Sequence, residues 1–231
     1  MAGVDAFEGA TGRYEAWFRD HHNAYRAEVR AVEELMPAAG RGMEVGVGTG
    51  RFAAPLGIRI GIDPSPAMLR IARTRGVDGV VGVGEALPFP DAAFDVVLLV
   101  TTVCFLDDFD VAFREARRVL ASRGGIVVGF VDRSSALGRT YLERREENPF
   151  YREATFYTVD EVVDGLERAG FGAFEYRQTL SGPLRETGPT EPIQEGHGAG
   201  SFVVVRASVR TRSPGTADGA RRAIPEESTP R

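Results

Sequence analysis

Glu44-Val45-Gly46-Val47-Gly48-Thr49-Gly50 is the stretch from which the rest of the chain is read. An apolar strand at about 42–47 runs into it and a helix at about 50–56 is expected to leave it, so three alternating glycines stand where a strand turns into a helix. Glycine lacks a Cβ, which lets the backbone turn sharply and approach a ligand closely. Downstream the alternation continues: a strand at about 58–62, a helix at about 65–75 after Pro64 and Ser65, and strands at about 79–83 and 94–101. A helix at about 108–120 and a strand at about 124–131 complete five βα units. Phe94-Asp95-Val96-Val97-Leu98-Leu99-Val100 is a near-continuous apolar run, as expected of a strand buried on both faces. The pattern predicts an α/β fold, a doubly wound, mostly parallel sheet with helices on both faces.

Outward from this centre, Trp17, Phe18, Tyr25, Val29, Val32 and Leu35 recur at helical spacing, predicting one helix over about 13–36 that Pro37 ends. Beyond Asp132 lies a polar segment studded with aromatics, to about 157. A helix at about 158–169 follows, opened by a Thr158/Glu161 capping box and closed by Gly170. Extended runs at about 171–180 and 201–207, joined by the Gly/Pro-rich stretch 182–200, predict an antiparallel hairpin that closes the sheet. One domain over 1–210 is expected, with 1–40 as a helical lid, 132–157 as a substrate cap and 211–231 as a disordered tail.

Composition narrows the function. All 28 basic residues are arginine, and the absence of lysine removes Schiff-base chemistry and a Walker-type phosphate loop. A net charge of -5 argues against a nucleic-acid partner, although Arg114, Arg117, Arg118 and Arg123 form a local basic cluster. Cys104 is the single cysteine, which fits a reducing compartment, and no apolar run reaches the roughly 20 residues of a membrane helix. The first twenty residues lack the pattern of a signal peptide, so a cytoplasmic location is expected, with no membrane association.

The second strand ends in Gly61-Ile62-Asp63, placing a carboxylate where it can accept hydrogen bonds from both hydroxyls of a ribose. A dinucleotide fingerprint needs its third glycine where Arg51 stands, so the pyrophosphate pattern is not met. Further along come Gly84-Glu85-Ala86-Leu87-Pro88-Phe89, Phe94-Asp95, and Arg118-Val119-Leu120 ahead of Gly124-Gly125. With these motifs in order, the chain from about Tyr14 to Ala207 resembles the class I, Rossmann-like S-adenosylmethionine (SAM)-dependent methyltransferases, with a methyltransferase type 11-like domain.

The resemblance implies that the glycine loop, Glu44, Gly46, Gly48 and Gly50, faces the methionine part of SAM. It implies that Asp63, with Pro64 and Met68, holds the ribose, that Val83–Ala86, including Gly84 and Glu85, brackets adenine, and that Thr101 also contacts the cofactor. Many members carry aspartate where Val83 stands, so adenine recognition here shifts toward Gly84, Glu85 and backbone groups.

Transfer from a sulfonium is an in-line displacement, for which a base is optional. Candidates near the donor are Tyr14 and Trp17, then Thr101, Thr102 and Cys104, and His21 or His22. Three histidines, two of them adjacent and His197 far away, assemble no metal site. The expected activity is methyl transfer to a small-molecule acceptor that the residues do not identify. An NAD(P)-dependent oxidoreductase and a non-catalytic SAM-binding protein are the alternatives.

Overall fold

Apolar periodicity at the amino end produces two helices rather than one, α1 (Thr11–Asp20) and α2 (His22–Glu33). His21, with φ -118 and ψ 41, leaves the helical region between them. The computed structural model describes residues 9–210, so the tail expected at 211–231 lies outside the described residues. Strands β1 (Gly42–Val45) and β2 (Ile60–Asp63) follow, then α3 (Pro66–Thr74), β3 (Asp78–Val81) and β4 (Phe94–Val100). Next come α4 (Phe109–Val119), β5 (Leu120–Val131), α5 (Ala136–Glu143), the single turn α6 (Pro149–Arg152) and α7 (Val159–Arg168). Strands β6 (Phe171–Thr179), β7 (Gln194–Glu195) and β8 (Phe202–Val209) end the described chain.

These form one eight-stranded sheet in the order β3-β2-β1-β4-β5-β8-β6-β7. The first five strands are parallel, and β8 inserts antiparallel between β5 and β6. The expected closing hairpin is therefore present, with β8 as its inner strand.

One expectation fails locally. Residues 50–56 are not a helix: Gly50 N–H donates to Val47 O, Ala54 N–H to Gly50 O and Ile58 N–H to Ala53 O, a series of turns. Pro55 supplies no N–H there, and Gly57 ends the stretch at φ +72. As the sequence reading has it, no helix joins β3 to β4. That loop is clamped by Arg118 on α4, whose guanidinium donates to Leu87 O and Phe89 O and pairs with Asp91 and Glu115. Arg118 is thus committed to internal bonds rather than to an open basic face.

The sheet is covered on both sides. Val97 and Leu99 of β4 pack with Phe113 of α4 and Val162 of α7, whereas Val96, Leu98 and Val100 pack with Ala27 and Ala31 of α2 and Leu69 of α3. The helix caps follow the sequence: Ser65 Oγ accepts from Met68 N–H ahead of Pro66, and Thr158 and Glu161 complete the capping box of α7. Among the described residues no helix is long and apolar enough to cross a membrane.

Candidate functional site

Strand order reverses at β1, whose neighbours β2 and β4 lead the chain in opposite directions. A crevice beyond the carboxyl ends of such strands is where open α/β sheets bind ligands. A hollow of about 840 Å³ lies there, lined by Gly46 and Gly48 after β1, Asp63, Pro64 and Met68 at β2 and α3, and Gly84, Glu85 and Thr101 beyond. Eight of the ten residues expected to contact a cofactor thus surround one cavity, although they come from four separate loops.

The turn after β1 is built by left-handed backbone at Gly46 (φ +68), Gly48 (φ +51) and Gly50 (φ +77), and each glycine answers a different neighbour. A Cβ on Gly46 would overlap the Thr102 side chain, and one on Gly50 would press on Val77 and Ala72. A Cβ on Gly48 would come to 3.3 Å from the Tyr14 hydroxyl at the cavity wall. Asp63 is oriented by two backbone donors, Gly48 N–H to Oδ2 at 2.8 Å and Ser65 N–H to Oδ1 at 2.9 Å. Glu85 Oε1 accepts from Asp107 N–H at 2.8 Å and Asp108 N–H at 3.3 Å, joining the loop after β3 to the loop after β4.

Glu44 and Gly50 do not line this hollow. Glu44 is buried beneath the glycine turn, where desolvation raises its carboxyl well above the usual range. Its Oε2 has no hydrogen-bond partner among the described residues.

A second hollow of about 1020 Å³ adjoins the first, sharing Tyr14, Thr101 and Phe105 with it. Its wall combines α1, α2, the turn after β4, and the 141–157 segment with α6. Eleven of its eighteen lining residues are aromatic, among them Trp17, Tyr141, Phe150, Tyr151 and Phe156. Thr101, at the junction, has φ +51, a conformation that a β-branched residue adopts only when its surroundings impose it. Its N–H donates to Gly129 O at 2.8 Å.

The match of residues 43–128 to the model of a methyltransferase domain agrees with this geometry. A crystal structure from Thermotoga maritima, described as a SAM-dependent methyltransferase and possible histamine N-methyltransferase, is 46% identical, covers 90% of this chain and 99% of its own, and superposes with a TM-score of 0.87. The chain belongs to the class I SAM-dependent methyltransferase family. An uncharacterized protein of Methanocaldococcus jannaschii is 37% identical over 88% of this chain and 98% of its own length. A malonyl-[acyl-carrier protein] O-methyltransferase of Geobacter sulfurreducens is 34% identical over 67% of each.

Within this methyltransferase the base candidates separate. Tyr14 lines both hollows; burial, with Glu44, Asp63 and Glu15 nearby, raises its phenol above the usual range, so it stays protonated at neutral pH. Cys104 lines the second hollow, and burial pushes its thiol up to about 12. His21 reaches neither: it stacks on Trp17, its Nδ1 3.1 Å from Trp17 O.

Two carboxylates escaped the sequence reading. Glu15 on α1 accepts from Thr49 Oγ1 at 2.6 Å, from Arg75 Nη2 at 2.7 Å and from Arg51, tying the helix to the glycine turn. Burial alone would raise this carboxyl, but the bonds from Arg51, Thr49 and Arg75 outweigh it and hold it at about 2. Arg51, the residue that breaks a dinucleotide fingerprint, is therefore the anchor of the amino-terminal helix. Glu28 on α2 lies on the wall of the second hollow, 3% exposed. Its position between Tyr25 and Val32 on the apolar face of the helix was the available signal.

Proposed function

We propose that this chain binds SAM in the hollow at the ends of β1, β2 and β4 and transfers its methyl group to a small acceptor seated in the aromatic hollow. The reading is carried by the junction of the two hollows at Tyr14, Thr101 and Phe105. The floor of the first hollow is left-handed glycine backbone, where a Cβ at Gly48 would crowd the Tyr14 hydroxyl. Bound SAM supplies a methyl group already activated by its sulfonium, which leaves alignment as the main task of the protein.

In this reading Asp63 holds the ribose, Gly46 and Gly48 let the donor lie against the backbone, and Gly84 with the Glu85 loop closes over adenine. Tyr14, held neutral, donates a hydrogen bond rather than taking a proton. Helices α1 and α2 act as a lid, with Glu15 as its tether, and the segment from α5 to Tyr157 caps the acceptor. A cavity walled by aromatic rings excludes water from the transfer path.

Calorimetric titration tests the donor half: SAM and S-adenosylhomocysteine (SAH) bind, and NADH does not. Binding of NADH without SAM would reverse the assignment in favour of a dehydrogenase. Transfer of a labelled methyl group across a panel that includes histamine and malonyl-acyl carrier protein, the acceptors named for the relatives, tests the other half. A SAM-binding chain that methylates nothing in a broad panel would be a binding protein instead.

A further inference from the structure

Glu28 has a surrounding that the transfer chemistry above does not use. Its side chain comes from the buried face of α2, between Ala24 and Val32, and ends at the wall of the aromatic hollow. It makes no hydrogen bond or ion pair among the described residues, and burial alone pushes its carboxyl up to about 8. Retaining an uncompensated carboxylate in such a place is costly, and removing it would improve the core. A ligand that supplies the missing charge accounts for its presence.

Among the described residues, Tyr25 on its own helix lies near enough to feel the Glu28 charge. Tyr141 on α5 and Tyr151 on α6, stacked at 4.2 Å, both feel the Glu28 charge. Tyr14 and Cys104 on the same wall stay neutral, and among the described residues Arg13 at the rim is the one cation lining the hollow, itself exposed. An anionic acceptor would meet no buried cation and would face Glu28. A positively charged nitrogen would find a carboxylate to one side and ring faces around it, each attracting a cation.

We propose that the aromatic hollow takes an acceptor bearing a cationic nitrogen on an apolar body, an amine, and that the Glu28 carboxylate is its counter-charge. This rests on the methyl-transfer reading for the acceptor's fate, but recognition of the cation needs no donor and is measured without it. An alkylammonium titrates at about 10.4 in a lysine side chain, so the amine arrives charged at neutral pH; before transfer it gives that proton to the Glu28 carboxylate, and the freed nitrogen lone pair forms the new N–C bond as the methyl–sulfonium bond breaks to leave SAH. Glu28, protonated in the free protein, must release that proton when the cation docks.

Binding of 2-phenylethylammonium, 2-phenylethanol and benzyltrimethylammonium to the full chain, with and without SAH, tests this by calorimetry. The ammonium should bind at least about tenfold more tightly than the alcohol. Benzyltrimethylammonium carries no acidic proton, so the release of close to one proton at pH 7, read from buffers of different ionisation enthalpy, would come from Glu28. Its affinity should rise from pH 6 to 8 and then level. Glu28→Gln should abolish both the preference and the proton release while its SAH affinity, and so its fold, is retained. Equal binding of alcohol and ammonium, or a preference that survives Glu28→Gln, would overturn the proposal even if SAH binds normally. Absence of SAH binding in the wild type would instead strike the donor reading while leaving cation recognition standing or falling on its own titration.

Discussion

Glycine at position 48 is required twice over, by its backbone and by the space beside it. Its φ of +51 would cost an L-residue about 1–2 kcal/mol, and a Cβ would reach the Tyr14 hydroxyl at the cavity wall. Gly48→Val is therefore expected to lower thermal stability modestly and to reduce SAH affinity by far more than that strain explains. Asp63→Ala should weaken SAH by about 1–3 kcal/mol, the worth of lost charged hydrogen bonds. Calorimetry on both variants is decisive, since unchanged SAH affinity in the two would dismiss this hollow as the donor site. At this scale the sequence was legible where a residue type has few reasons to exist, as with glycines in a turn and an acid at a strand end. It was opaque for Gly46 and Gly50, whose partners Thr102, Val77 and Ala72 become neighbours only in the folded chain.

Elements were legible when one local rule governed them. The apolar run of β4, the Ser65 cap of α3 and the Thr158/Glu161 box of α7 all stand where local chemistry puts them. The helix expected at 50–56 dissolved into turns because Pro55 and Gly57 outweigh the glycine-loop pattern, and the break at His21 had no proline or glycine to announce it. The attachment of α1 is a tertiary matter, carried by Glu15 on Thr49, Arg51 and Arg75. Because the folded carboxyl sits at about 2 against 4.5 in the unfolded chain, its stabilisation is present above pH 4.5 and is lost as the pH falls toward 2. Partial exposure to solvent limits that contribution to about 1–2 kcal/mol. Glu15→Gln should therefore destabilise the protein by that order at pH 7 and speed amide exchange in residues 11–20. Unaltered exchange there would mean that the apolar contacts of Phe18, not the ion pairs, hold α1 in place.

For the whole molecule, the carboxyls of Glu44, buried beneath the glycine turn, and of Glu28, at the wall of the aromatic hollow, make stability depend on pH in the opposite sense. Glu28 at about 8 and Glu44, also raised, bind protons more tightly in the folded chain than in the unfolded one. With respect to Glu28 the fold is at full strength at pH 4.5 and below and loses stability as the pH climbs to about 8, and Glu44 acts in the same sense. Each such proton contributes a slope of at most about 1.4 kcal/mol per pH unit. Urea titrations of the ligand-free protein should show a lower unfolding free energy at pH 8 than at pH 6, and Glu28→Gln should flatten the difference while raising stability at the alkaline end. A benzyltrimethylammonium-saturated protein should behave like the variant, because the cation neutralises the same charge. If wild type and Glu28→Gln lose stability equally between pH 6 and 8, Glu28 is ionised at little cost in the free fold, and the reason given for its needing a partner disappears.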